Sequence, residues 1–389
     1  MKKILLIIFL LLPIKVFSLT YPDLSAKSIV LYDLTDNKIL YEKNPNEKRS
    51  IASLTKTITI MTAIEEIENL NEKVIISQDI LDKVDKEAST SGLKAGDIVT
   101  YEDLLYAIIL PSGADAALST AYSLFETEDE FVEKMNNLAK KIGMNQSQFK
   151  NVHGLDYNGH YSTANDLRIL LEYALKNKTF KDIYTTKEYT LTNKLKVSST
   201  LIISTNNDKE IQKNTSKILG SKTGSTSKAG KCISVLFKYK KHELLLVILG
   251  SDKKISSTIN IEEALEIIDF VNNNYDKHLI LKEGTTLKKI KNKNKFMIQE
   301  IKLSKDVYLF LPNDYEKSKI TYEFKENIEN SQKNRKGTIE FYYNNNLIHK
   351  EEITLYKELT NSQKILIILS ILIFITAVII KYNHNKSHW

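Results

Sequence analysis

Apolar and polar positions change rhythm several times along this chain, and each change marks an element. In "KSIVLYDLTDNKILYEKNPN" (27–46), two short β-type runs flank Thr35-Asp36-Asn37-Lys38 and predict a hairpin. The spacing then lengthens: Ile60, Ala63, Ile64 and Ile67 recur on one side of a helix predicted over Ser53–Glu68. "TYEDLLYAIIL" opens with Thr100 and Asp103 in capping-box spacing. "EDEFVEKMNNLAKKI" stops at Gly143. Thr163 and Asp166 repeat the capping-box spacing before "LRILLEYAL". Residues 78–185 thus read as mostly helical. Strands return in "GKCISVLFKY" and "HELLLVILG", a hairpin around a Lys-rich turn that ends at Gly250, and "NIEEALEIIDFVNNNY" closes the region as a helix near residue 276. Strands begin and end this large domain while helices fill its middle, which predicts an α/β (α+β) fold with a helical insertion. From His278 to Tyr356 the pattern alternates in short runs, including "GTIEFYYNNNLIHKEEITL" around Asn344–Asn346, and predicts a small all-β, sandwich-like domain.

The two ends add a location. Lys2 and Lys3 precede the apolar stretch "ILLIIFLLLPIKVF" and then small Ser18, the pattern of a signal peptide over 1–18. Pro13 and Lys15 interrupt that stretch as a membrane span. A second apolar run, Ile365 to Ile380, is bracketed by Lys364 and Lys381. As a helix it rises about 24 Å against roughly 30 Å of hydrocarbon, a gap that snorkelling lysines and bilayer thinning close. The expectation is an anchor helix over 364–381 with a basic cytoplasmic tail, 382–389. Residues 19–276 and 277–360 then form two extracytoplasmic domains at the cell membrane. Without Lys2, Lys3 and Lys15 the formal charge falls from +7 to +4, far from a nucleic-acid footprint. The single Cys232 excludes an internal disulfide and a cysteine metal cluster.

Candidate chemistry begins at "SIASLTKTIT", where Ser53 and Lys56 lie three apart on one helix face. A desolvated lysine beside a hydroxyl can serve as the base that activates it. The spacing alone is cheap, since Ser91/Lys94, Ser147/Lys150, Ser225/Lys228 and Ser251/Lys254 repeat it. Two further motifs give it weight. "LPSGADAA" puts Ser112 in a turn just past an apolar helix, and "GSKTGSTSKAGKC" puts Lys222-Thr223-Gly224 immediately before a predicted strand. Ser-x-x-Lys, a Ser turn and Lys-Thr-Gly, in that order, mark serine acyl-enzymes that recognise penicillin.

With "ASTSGLKAGDIVTYEDLLYAIILPSGADAA", "FKNVHGLDYNGHYSTANDL" and "SKTGSTSKAGKC", the chain resembles the D-alanyl-D-alanine carboxypeptidases among the low-molecular-weight penicillin-binding proteins (serine peptidase family S11). The resemblance covers residues 22–275 and extends more loosely beyond. It implies a serine β-lactamase/transpeptidase fold with a five-stranded sheet beside a helical region. It also implies an enzyme that trims the terminal D-alanine from peptidoglycan pentapeptide stems, binds β-lactams and needs no metal or organic cofactor. By that resemblance Ser53 is the nucleophile, Lys56 its proton acceptor, with Lys222 as a neighbouring cation across the cleft, and Ser112 a proton relay to the departing D-alanine. Lys222 and Thr223 bind the substrate's terminal carboxylate, and Gly224 lets the substrate approach the strand. The backbone N–H groups of Ser53 and Ser225 form the oxyanion hole.

Two positions depart from the family pattern. Ala114 stands where the middle motif usually ends in Asn, and Asn260 stands near an expected Arg, whose carboxylate contact would fall to Lys228, Lys253 or Lys254. Rival readings are weaker. His153 and His160 suggest a metal site, but their stretch reads as a glycine-marked loop without ligand-pair spacing. No Gly-x-Ser-x-Gly elbow supports a Ser-His-Asp hydrolase. A β-lactamase shares the first and third motifs but needs neither β domain nor anchor. A catalytically impaired peptidoglycan-binding protein is the reading that Ala114 invites.

Overall fold

The computed structural model describes residues 21–291, 298–326, 335–343, 346–359 and 361–386, so the predicted signal peptide lies outside the described residues. The chain divides into two compact units, the first of residues 20–273 and the second from Asn274 onward.

The first unit opens with the predicted hairpin of β1 (Ser28–Asp33) and β2 (Lys38–Lys43), antiparallel. Asp33 Oδ1 accepts from the N–H groups of Thr35 and Asp36, and Asn37 takes a positive φ of 53°, so the side chain itself shapes the turn. Next come α1 (Lys56–Glu66), a short hairpin of β3 (Lys73–Ile75) and β4 (Ile98–Thr100), and α2 (Gln78–Leu81) between them. The helical layer continues with α3 (Tyr101–Ile109), α4 (Ala114–Leu124), α5 (Glu128–Ile142), α6 (Ala164–Ala174) and α7 (Lys178–Thr185).

The caps explain where these helices begin and stop. Thr100 and Asp103 close a reciprocal capping box on α3, and α5 ends at Gly143 with φ 93°. Thr163 caps α6 by accepting from Asp166 N, but the Asp166 carboxylate turns away to Gln146 N and Ser147 Oγ and leaves that box half-made. After the small hairpin β5 (Glu188–Thr190) and β6 (Lys196–Ser198) come α8 (Thr200–Thr205) and α9 (Lys209–Asn214).

The sheet is completed by β7 (Ile218–Thr226), β8 (Gly230–Tyr239) and β9 (His242–Ser251), in the order β2-β1-β9-β8-β7 and antiparallel throughout. One face of β1, β8 and β9 (Val30, Leu236, Val247) shares a core with α1 and α3–α7. The alternate positions, such as Ile29, Val235 and Ile248, are buried as well, which is why these strands read as unbroken apolar runs. Helix α10 (Ile259–Asn274) closes the unit. β7 is an edge strand, and it carries the Lys-Thr-Gly motif inside it rather than ahead of it.

In the second unit β10 (Tyr275–Leu281) pairs with a later strand of a two-stranded ribbon, while β11 (Thr286–Lys291) and β12 (Ile298–Leu303) start a five-stranded sheet. β13 (Val307–Pro312) is the ribbon partner. β14 (Ile320–Glu326), β15 (Arg335–Tyr343) and β16 (Asn346–Leu359) complete the sheet in the order β11-β12-β16-β15-β14. Residues 344 and 345 of the predicted hairpin turn lie outside the described residues. Ile280, Ile301, Leu309, Phe341 and Ile353 form the unit's core.

The last apolar run is helical, α11 (Asn361–Lys386). Among the described residues, however, no helix is long and apolar enough to cross a membrane.

Candidate active site

Ser53 lies in a 3-10 turn, Ala52–Thr55, that runs directly into α1. This corrects the predicted single helix from Ser53, and it strengthens the pairing, because a 3-10 turn eclipses residues i and i+3. Lys56 Nζ donates to Ser53 Oγ at 3.1 Å and to the His153 carbonyl at 2.7 Å. The lysine is buried while Ser53 keeps partial exposure. Burial drives the Lys56 pKa down from the ordinary lysine range to about 7, opposed by the carboxylate of Asp115.

The turn is held in a strained form, with Ala52 at φ 47°. Thr55 Oγ1 donates to the Ala52 carbonyl at 2.9 Å. His160 Nδ1 accepts from Lys150 N, which leaves Nε2 as the N–H that donates to Thr55 Oγ1 at 2.8 Å. Gly154, at φ 91°, lies so close that a Cβ there would sit 2.1 Å from the Ala52 oxygen. Both histidines of this loop are held neutral, their pKa values pushed down to about 4, chiefly by burial. Both His160 nitrogens are engaged, Nε2 with Thr55 of the nucleophile turn and Nδ1 with Lys150 N, and His153 Nδ1 accepts from Leu155 N, so His160 braces the turn and the rings' bonds argue against the metal reading. Among the described residues the one cluster with metal-compatible groups is Asp33, Asp36 and His242. There His242 Nδ1 bonds to Asp33 Oδ2, and Asp36 pairs with Lys38.

Ser112 stands between α3 and α4 with φ 66°, a backbone conformation uncommon for a residue with a side chain. Its Oγ is buried and makes no hydrogen bond to another described group. The turn is clamped from outside: Gly113 N donates to Ala107 O, and Ala114 N to Ser89 O. The buried Asp115 carboxylate accepts from Ser91 N, Ser91 Oγ, Gly92 N and Leu93 N, so it gathers the 91–93 loop onto the start of α4. Ala114 is buried and brings no amide to the cleft, yet the Ser53–Lys56 hydrogen bond is in place without it.

On β7, Lys222 is fully buried and its Nζ donates to the Thr223 carbonyl at 2.8 Å. Burial, and then the charge of Lys56, put its pKa well below the usual lysine value. A Cβ on Gly224 would lie 2.9 Å from Ser53 N and 3.0 Å from the Ala52 Cβ. The glycine is therefore needed where the strand meets the nucleophile turn, and not only for a ligand's approach. Thr223 Oγ1 donates to Thr200 Oγ1 at 2.7 Å, and Ser225 is exposed. Ser53, Lys56 and the Lys222–Ser225 strand segment thus converge, while among the described residues no hydrogen bond ties the Ser112 side chain to them. Asn260 does not join them: it is buried and donates to the Cys232 carbonyl.

A family model described as D-alanyl-D-alanine carboxypeptidase matches residues 15–253. The chain belongs to this family. It is 32% identical over 272 residues to the D-alanyl-D-alanine carboxypeptidase DacF of Bacillus subtilis, covering 69% of this chain and 67% of that one. It is 31% identical over 276 residues to DacD of Escherichia coli, covering 69% and 68%. Among solved structures, penicillin binding protein 5 from Haemophilus influenzae superposes with a TM-score of 0.65 at 22% identity, over 88% of this chain and 100% of that one. Penicillin binding protein 6B from Escherichia coli gives 0.62 at 26%, over 87% and 98%.

Within this D-alanyl-D-alanine carboxypeptidase family member, the structure adds candidate site residues that motif reading did not single out. Asp156, Thr200 and the His153 carbonyl reach the motif segments from distant parts of the sequence, while Asp115, at the end of the middle motif, gathers Ser91–Leu93. Thr200 also ties α8 to the end of α3, its N–H donating to Leu110 O. The family-like stretches signalled three of them, "PSGAD" holding Asp115 and "VHGLD" holding His153 and Asp156.

Proposed function

We propose that this protein is a serine-type D-alanyl-D-alanine carboxypeptidase that removes the terminal D-alanine from peptidoglycan pentapeptide stems. The observation that carries the reading is a buried lysine, its pKa brought to about 7, within 3.1 Å of a partly exposed serine hydroxyl. Ser53 Oγ attacks the carbonyl between the two D-alanines and gives its proton to neutral Lys56. The oxyanion forms against the N–H groups of Ser53 and Ser225. The C–N bond then breaks, and the leaving amine takes a proton through the buried Ser112 hydroxyl. Water, with Lys56 again as base, releases the shortened peptide and frees Ser53.

Lys222 and Thr223 bind the terminal carboxylate. A carboxylate arriving beside Lys222 offsets its desolvation and favours the charged ammonium, so binding and charging go together. β-Lactams acylate Ser53 through the same steps.

Residues 1–18 direct export, and α11 with its flanking lysines holds the protein at the outer face of the cell membrane. The exposed apolar side chains Ile365–Ile375 support that attachment.

The deciding experiment measures D-alanine released from a Lys-D-Ala-D-Ala peptide by the full chain in detergent, beside Ser53→Ala. Release by the parent and none by the variant is expected. A folded parent that releases no D-alanine and is not acylated by benzylpenicillin overturns the reading.

A further inference from the structure

The loop from Asn151 to His160 touches both walls of the cleft, and one carboxylate on it joins two segments that no motif connects. Asp156 Oδ1 accepts from Ser50 Oγ at 2.7 Å and from Thr226 Oγ1 at 2.9 Å, and Oδ2 accepts from Lys228 N at 3.2 Å. Ser50 lies three residues before Ser53. Thr226 is the last residue of β7, directly after Ser225. Thr226 Oγ1 also accepts from Ala229 N, so the carboxylate fixes the turn that leads β7 into β8. We infer that Asp156 is the positioning residue that sets the distance between the Ser53 and Ser225 N–H groups, and hence the geometry of the oxyanion hole. The inference rests on the carboxypeptidase reading given above.

The physical case is one of anchoring. β7 is an edge strand, so one side of it has no neighbouring strand to fix its position. Its pairing with β8 fixes the register but leaves the strand's end free to lean towards or away from the nucleophile turn. Gly224 sets the closest approach, because its Cα side abuts Ser53 N and Ala52. Contact limits only how near the strand comes. An attractive tie must stop it from moving out, and Asp156 supplies one with hydrogen bonds on both sides. The same loop holds the nucleophile turn through Gly154 and His160, and Lys56 through the His153 carbonyl. One short loop therefore registers base, nucleophile and strand against one another. A displacement of about 1 Å in such a site can cost on the order of 100-fold in rate, and loss of an oxyanion donor costs on the order of 100- to 1,000-fold.

The test compares the full chain with Asp156→Ala, Ser50→Ala, Thr226→Val and the Ser50→Ala/Thr226→Val double variant, each titrated for active sites with benzylpenicillin. The readouts are kcat and KM for D-alanine release, the rate constant of penicillin acylation, and Tm. Asp156→Ala should lower kcat and acylation by roughly 10- to 100-fold per titrated site with KM within about 2-fold. Because Ser50 and Thr226 act through one carboxylate, their effects on log kcat should be non-additive, whereas their effects on Tm need not be. A lowered Tm with unchanged kcat and acylation per titrated site overturns the inference and leaves a merely structural carboxylate. Should Asp156→Ala not fold, additive effects in the Ser50/Thr226 cycle overturn it equally. A parent that neither releases D-alanine nor reacts with penicillin defeats the functional reading instead, and this inference with it.

Discussion

In water a lysine keeps its proton to a pH above 10, so the role proposed for Lys56 depends on what surrounds it. Burial brings its pKa to about 7 against the opposing charge of Asp115. Penicillin acylation should therefore rise with pH through about 7, as the ammonium gives way to the amine, and then level. Stopped-flow acylation rates from pH 5 to 9 check this; a flat profile would remove Lys56 as base. The same burial has a stability consequence. Holding Lys56 against its preference for charge costs about 5 kcal/mol at neutral pH, and an apolar side chain of similar length avoids that cost. Lys56→Met leaves the His153 carbonyl without its donor, worth about 1–3 kcal/mol. On balance the variant should be inactive yet melt at a higher temperature by calorimetry. The sequence predicted a lysine depressed by burial or by Lys222 as a nearby cation; the structure gives desolvation as the leading cause, because Lys56 lies beneath a loop 97 residues away.

At the level of elements, the nucleophile turn depends on contacts its own sequence does not contain. Apolar spacing predicted α1 well, yet the first turn winds as 3-10 because Ala52 is held at positive φ by Thr55 and by the loop at Gly154. Gly154→Ala should cost about 3 kcal/mol or more, since it combines a disfavoured φ with a backbone clash. A fall in the urea midpoint accompanied by loss of D-alanine release would bear this out. His153 and His160 add an acid limit. Unfolded histidine binds a proton below about pH 6.5, whereas both residues in the fold bind one only near 4. The unfolded state thus gains protons first, and the stability these neutral rings contribute, complete above 6.5, is lost as pH falls through 4. Tm should drop steeply over that interval, and more shallowly in His160→Gln.

Across the whole molecule, every assembled site residue comes from the unit spanning 20–273. The second unit has its own core. A chain ending at residue 360 should leave the membrane fraction while keeping its penicillin acylation rate. Fractionation of cells expressing both lengths, with fluorescent penicillin as the label, tests the proposed anchor; membrane retention of the shorter chain would count against it.

Three ordered motifs, two well-spaced helix caps and the unbroken apolar strands predicted the architecture and picked out Ser53, Lys56, Ser112 and Lys222 as candidates, because each is a local pattern or a fixed chemical requirement. Tertiary structure alone decided what surrounds them. Asp115, Asp156, Thr200 and the His153 carbonyl lie tens to more than a hundred residues from the groups they hold. No local periodicity encodes such pairs. Closure of the chain around a shared core brings them within hydrogen-bond reach, and burial there shifts the lysines that local sequence only named.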